Sequence, residues 1–196
     1  GEQSVELADR SGDAFMRMAR RTTLAAALFC AGHIGRMKDE SGRIKTDDDS
    51  SFVFPPSSFA SAAFREAEAM QQEMQPQFPL LYSQRGHRYC ELLLADVWLR
   101  IAELKDGMAQ SEIQNWKSEI PHLKSEIESL RNRAETTLKW EEGMQGAPLL
   151  DFALHHLTLG RTWQLEMQIA KFGMRTDPPD SPFRNPNSAF ESAEHH

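Results

Sequence analysis

Apolar residues recur at three- and four-residue steps through most of this chain, and strand-like alternation is sustained nowhere. Such steps place side chains on one face of a helix, so the pattern predicts an all-α protein. Over 13–31 the stripe is Phe15, Met18, Ala19, Leu24, Ala27 and Leu28, with Ser11 and Asp13 as N-caps and Gly32 as a stop. A second helix is expected over 58–75, carrying Phe59, Ala63, Ala67 and Met70 and ended by Pro76 and Pro79. A third runs over 80–105 through Leu92, Leu93, Leu94 and Trp98, and closes at Asp106 and Gly107. A fourth covers 111–142, before Gly143 and Gly146. The fifth covers 148–172, with Pro148 near the first turn, where a missing N–H costs nothing.

These elements make one helical domain over 1–172. Residues 33–57 interrupt it with Asp47, Asp48 and Asp49, several hydroxyl residues, and Pro55 and Pro56, and are expected to form a flexible insertion. Phe52, Val53 and Phe54 are its sticky part. After Gly173 come Pro178, Pro179, Pro182 and Pro186 without periodicity, so 173–196 is expected as a flexible tail. Its end, Glu194-His195-His196, reads as the start of a purification tag.

The fourth helix carries the most regular pattern. Ser-Glu-Ile-x-x-x-Lys occurs at 111–117 and 118–124, and a third copy at 125–131 ends in Arg131. With Ile113, Ile120 and Ile127 at heptad position a, Trp116, Leu123 and Leu130 fall at d. Glu112, Glu119 and Glu126 then fall at g, and Lys117, Lys124 and Arg131 at e. Such a seam packs inside its own domain or pairs two chains. Pro121 interrupts it, and the stripe continues through Ala134 and Leu138, so intramolecular packing is expected.

Composition narrows the function. The chain has 29 acidic and 22 basic residues, a net charge of −7, and a pI near 5.5. Phosphate neutralisation needs a surplus of Lys and Arg, so neither nucleic acid nor an anionic membrane surface is an expected partner. No apolar run approaches the roughly 20 residues of a membrane-spanning helix. Gly1-Glu2-Gln3 lacks the basic and apolar regions of a signal peptide, and a cytoplasmic protein is expected. Cys30 and Cys90 each sit in an apolar helical stretch and read as two buried thiols.

Catalytic signatures are missing. There is no Gly-x-x-x-x-Gly-Lys-Ser/Thr run, no Gly-x-Ser-x-Gly, no His-Glu-x-x-His and no Cys-x-x-Cys. His87 and Cys90 could share a helix face, but two ligands fall short of a zinc site. His155 and His156 are neighbours, so one is expected to pack and the other to face water. Asp47 to Asp49 lack the spacing of a calcium loop. No catalysis, cofactor or metal is expected.

A further pattern lies in Tyr82-x-x-Arg85-Gly86-x-x-Tyr89, Leu159-Gly160-x-x-Trp163 and Leu24-Ala25-x-x-Leu28. Partner patterns are Ala60-x-x-x-Phe64-x-x-Ala67 and, more loosely, Ile127, Arg131 and Ala134. Together they resemble two tetratricopeptide repeats and the first helix of a third. Residues 64–94 and 133–161 also resemble the C-terminal repeat arrays of bacterial signal-transducing ATPases. The usual 34-residue spacing is not kept. The resemblance implies stacked antiparallel helical hairpins with one extended helix. It also implies a non-catalytic protein-interaction module, the scaffold or sensor region of a larger bacterial signalling protein. Carried over by position, the groove for a protein or peptide would be lined by Thr23 and Ala26, then Gln84, His87 and Glu91, then Thr158, Arg161 and Gln164. Gly86 and Gly160 would be close-contact positions between paired helices, with alanine tolerated at Gly86. The alternative is a structural protein that self-associates through Ile113, Ile120 and Ile127; a monomer is expected.

Overall fold

The described residues form six helices: α1 (Glu2–Ser11), α2 (Ala14–Glu40), α3 (Pro56–Met74), α4 (Ser83–Asp106), α5 (Ile113–Glu142) and α6 (Leu149–Thr176). The computed structural model describes residues 1–40, 56–106 and 113–176, with side chains over 1–31, 58–103 and 118–171. No strand occurs among these residues, and the expected all-α class holds. None of these helices is long and apolar enough to cross a membrane.

The helix ends follow local chemistry. α1 stops at Gly12, whose φ of 71° is left-handed. Asp13 Oδ1 then accepts the Met16 N–H at 3.0 Å and caps α2, as its side chain allows. The pattern over 1–12 did not announce α1. Gly32 does not stop α2, which continues to Glu40, so 33–40 are helix rather than insertion. Residues 41–55, the rest of that predicted insertion, lie outside the described residues. α5 passes through Pro121 unbroken. α6 passes Gly173 and ends at Thr176; the remaining tail lies outside the described residues.

Side-chain pairs fix the helix directions. Tyr89 meets Arg133, and Arg100 meets Glu119 and Glu126, so α4 and α5 are antiparallel. Thr137 meets His155, and Arg131 meets Glu166, so α5 and α6 are antiparallel too. α4 and α6 therefore run parallel, joined by Ser83 with Asp151, His87 with Thr158, and Glu91 with Arg161.

Two apolar clusters form the core, and α4 belongs to both. Its Tyr89 and Leu92 join Met18, Ala25, Ala60, Phe64 and Ala67 of α2 and α3. Small residues let these helices approach closely, and Phe64 fills the gap, its ring stacked on Tyr89 at 5.0 Å. Leu94, Val97 and Ile101 of α4 join Leu123, Ile127 and Leu130 of α5 and Leu165 and Ile169 of α6. The described part of the heptad seam thus faces the interior, with Ile120 packed against it. The side chains of Ile113 and Trp116 lie outside the described residues. Between the clusters, Glu68 of α3 pairs with Arg133 of α5 and accepts the Leu81 N–H at 2.9 Å.

The two motif glycines differ. A Cβ on Gly86 would lie 2.3 Å from the Leu81 carbonyl oxygen in the turn before α4. That neighbour is main chain and cannot step aside like a side-chain tip. Even Gly86→Ala is expected to destabilise by about 1–3 kcal/mol, more than the ~1 kcal/mol of helix propensity it gains. Urea denaturation checks this; an unchanged midpoint would contradict the close approach. Gly160 has nothing within 4 Å of its Cβ position and lies exposed. It is not a close-contact glycine, because the face of α6 that carries it meets no other helix among the described residues. Leu149 (84% exposed), Trp163 (62%) and Met167 lie on that side.

Candidate functional site: the groove between α2, α4 and α6

Gln84, His87, Arg88 and Glu91 fall at three- and four-residue steps, so α4 presents them on one face. Leu150 and Leu154, one turn apart, face them from α6. Ala26, Phe29 and Cys30 form the third wall, on α2. Together they enclose an open cavity of about 370 Å³, predominantly apolar inside and polar along its α4 edge. Its walls come from three different helices and carry few polar groups, as ligand pockets generally do.

The polar edge is held from behind by α6. Thr158 donates its hydroxyl proton to the Leu154 carbonyl at 3.0 Å. Its oxygen is then free to accept from His87 Nδ1, also at 3.0 Å. That places the His87 proton on Nδ1 and leaves the Nε2 lone pair uncommitted. Burial pushes the His87 pKa below its ordinary 6.5, and the nearby Arg161 guanidinium adds to the effect. The ring is therefore neutral near pH 7. Nε2 lies 3.9 Å from Glu91 Oε1, and Glu91 is itself paired with Arg161.

The lowered pKa carries a sign. Between the folded value and 6.5 the unfolded chain binds the extra proton, so stability falls as pH drops through that window. The His87 ring resonances should titrate below pH 6.5, and His87→Gln should flatten the pH dependence of the urea midpoint between pH 7.5 and 5.5. Titration above 6.5 would contradict the neutral ring.

Of the eight residues carried over by position, Gln84, His87, Glu91 and Arg161 gather at this edge. Thr158 does not face a partner: at 1% exposed it is the support behind His87. It belongs to the core face of α6 with His155 and Thr162, set by steps of three and four. Thr23 and Gln164 are exposed but do not line the cavity, and the Thr23 hydroxyl is spent on the Ala19 carbonyl at 2.9 Å. Ala26 does line it. Phe29, Leu150, Leu154 and Arg88 were missed. Arg88 was legible, one turn after Gln84 on the same face. Cys30 was read as buried and is exposed, because its side of α2 opens on the cavity and not on α3. Cys90 is buried, which pushes its thiol up to about 12.

A second polar group is sealed. Thr137 Oγ1 lies 3.3 Å from His155 Nδ1, and His155 Nε2 lies 3.1 Å from Glu141 Oε2. The order of hydroxyl, imidazole and carboxylate suggests a nucleophile and its base. All three residues are buried and none lines the cavity; they tie α5 to α6. His156, the other half of the pair, faces water as expected. No group of three metal-ligating side chains gathers among the described residues.

No family model, curated protein or solved structure matches the chain. What the geometry defines is an all-helical chain with an open, mainly apolar cavity edged by polar side chains.

Proposed function

We propose that this chain is a tetratricopeptide-like interaction module that holds an extended segment of another protein in the α2–α4–α6 groove. It would serve as the scaffold or sensor region of a larger signalling protein. The observation that carries the reading is the cavity itself, walled by α2, α4 and α6, the first helices of the three proposed repeats. The packing is compatible with it: α2 pairs with α3, α5 packs on both α4 and α6, and among the described residues one face of α6 is left exposed. Uncommitted donors and acceptors along α4 suit the main chain of an extended peptide.

Titration of fluorescein-labelled pools of nonapeptides with the unlabelled chain should give a saturable rise in anisotropy, and Gln84→Trp, which crowds the cavity from an exposed position, should abolish it. Anisotropy unmoved in every pool would refute the module.

A further inference from the structure

We infer that the groove selects acidic peptides: an extended segment that seats a leucine-sized side chain in the cavity and lays a neighbouring carboxylate on Arg88. The inference rests on the peptide-binding reading and adds the chemistry of the ligand.

Arg88 is the first observation. It lines the cavity, is exposed, and has no hydrogen bond, ion pair or ring contact among the described residues. Nearby arginines are committed: Arg161 to Glu91, Arg133 to Glu68, Arg85 over the Phe15 ring, and Arg21 to Asp9 and Glu66. In a chain with seven more acidic than basic residues (29 − 22), an unneutralised guanidinium beside an apolar cavity is a vacant carboxylate partner. Local charge agrees. Glu91, a carboxylate on the cavity wall, is neutralised by Arg161, which leaves the Arg88 charge there without a counter-ion.

The second observation separates a peptide from a simple acid. Neutral His87 Nε2 and Glu91 Oε1 lie 3.9 Å apart, and both can accept from one N–H placed between them. Gln84, one turn earlier, offers a donor and an acceptor. A main-chain amide supplies both kinds of group; a free fatty or aromatic acid has no N–H to give. The apolar interior, walled by Ala26, Phe29, Leu150 and Leu154, excludes a charged anchor but accepts an aliphatic one. A volume near 370 Å³ suits one or two side chains.

The test uses three fluorescein-labelled nonapeptides with leucine at the centre, flanked by aspartate, serine or lysine. Binding is read by anisotropy in 50 mM salt on the full chain. The aspartate peptide should bind at least tenfold tighter than the lysine peptide. Arg88→Glu should reverse that order, and Arg88→Gln should remove the preference. Arg88 is solvent-facing, so both variants should keep the parent's circular dichroism. Cys30→Trp, which fills the mouth from an exposed position, should weaken all three peptides. Equal binding of the three, abolished by Cys30→Trp, overturns the acidic preference and leaves the groove reading standing. So does an aspartate preference that Arg88→Glu does not change, since the carboxylate then lies elsewhere. No saturable binding of any peptide up to millimolar concentration overturns both.

Discussion

Replacing Ile127 with aspartate is expected to unfold the protein, not to free a monomer from a dimer. Ile127 is fully buried among Leu94, Val97, Leu123, Leu165 and Ile169. An aspartate there would bury a carboxylate with no cation in reach, since Arg131 already pairs with Glu166. Burying an unpaired charge is among the few single changes that cost about 4 kcal/mol or more. Circular dichroism of the variant should therefore show lost helix, and the parent should sediment as a monomer at micromolar concentration. A dimeric parent with a well-folded monomeric variant would mean that the seam pairs chains, which is the self-association alternative.

The second large effect is expected at Glu68. Its carboxylate accepts Arg133 Nη1 at 3.0 Å, also meets Nη2, and takes the Leu81 N–H. The Arg133 guanidinium lies 4.7 Å over the Tyr89 ring, deep enough that burial lowers its pKa to about 10 in spite of the pairing. Glu68→Ala leaves that cation buried and the Leu81 N–H unmet. Removing one partner of such a pair costs about 3–5 kcal/mol. Arg133→Met in the Glu68→Ala background should recover most of the loss, because it removes the stranded charge and keeps the volume. Urea denaturation of the two single variants and the double variant measures the coupling. Additive losses would show that the pair is not a unit.

The sequence carried much of this fold where periodicity was long. The stripes of α3, α4 and α5 place Ala67, Leu92 and Ile127 in the core as their spacing predicts. Short or glycine-marked stretches read less well. α1 has only Val5, Leu7 and Ala8 as apolar residues in ten, too few for a face. Gly32 and Gly173 read as stops, yet a mid-helix glycine costs only ~1 kcal/mol, which the rest of a 27- or 28-residue helix absorbs.

The site was legible in part. Steps of three and four bring Gln84, His87 and Glu91 together, and Arg161 meets them because α4 and α6 run parallel. Thr158 misled because its letter is polar while its phase along α6 is that of His155 and Thr162, which face inward. The tie between Glu68 and Arg133, 65 residues apart, leaves no mark in local spacing. Gly86 and Gly160 sit in the same short motif; only the surroundings, a turn's carbonyl for one and solvent for the other, tell them apart.

The parallel run of α4 and α6 is joined differently at its two ends. From Ser83 to Glu91 the contacts are side-chain hydrogen bonds and an ion pair. From Leu94 to Ile101 they are aliphatic, shared with Leu165 and Ile169. Water can stand in for a hydroxyl or a carboxylate partner but not for a packed leucine, so the two ends differ in what it costs to part them. The seam behaves as a zip with a fixed base. Of its amino-terminal teeth, the part-exposed Glu91 and Arg161 can exchange with solvent while the aliphatic end stays shut. The mouth of the groove lies at the toothed end, so the peptide proposed above would enter by trading places with water and leave the core unmelted.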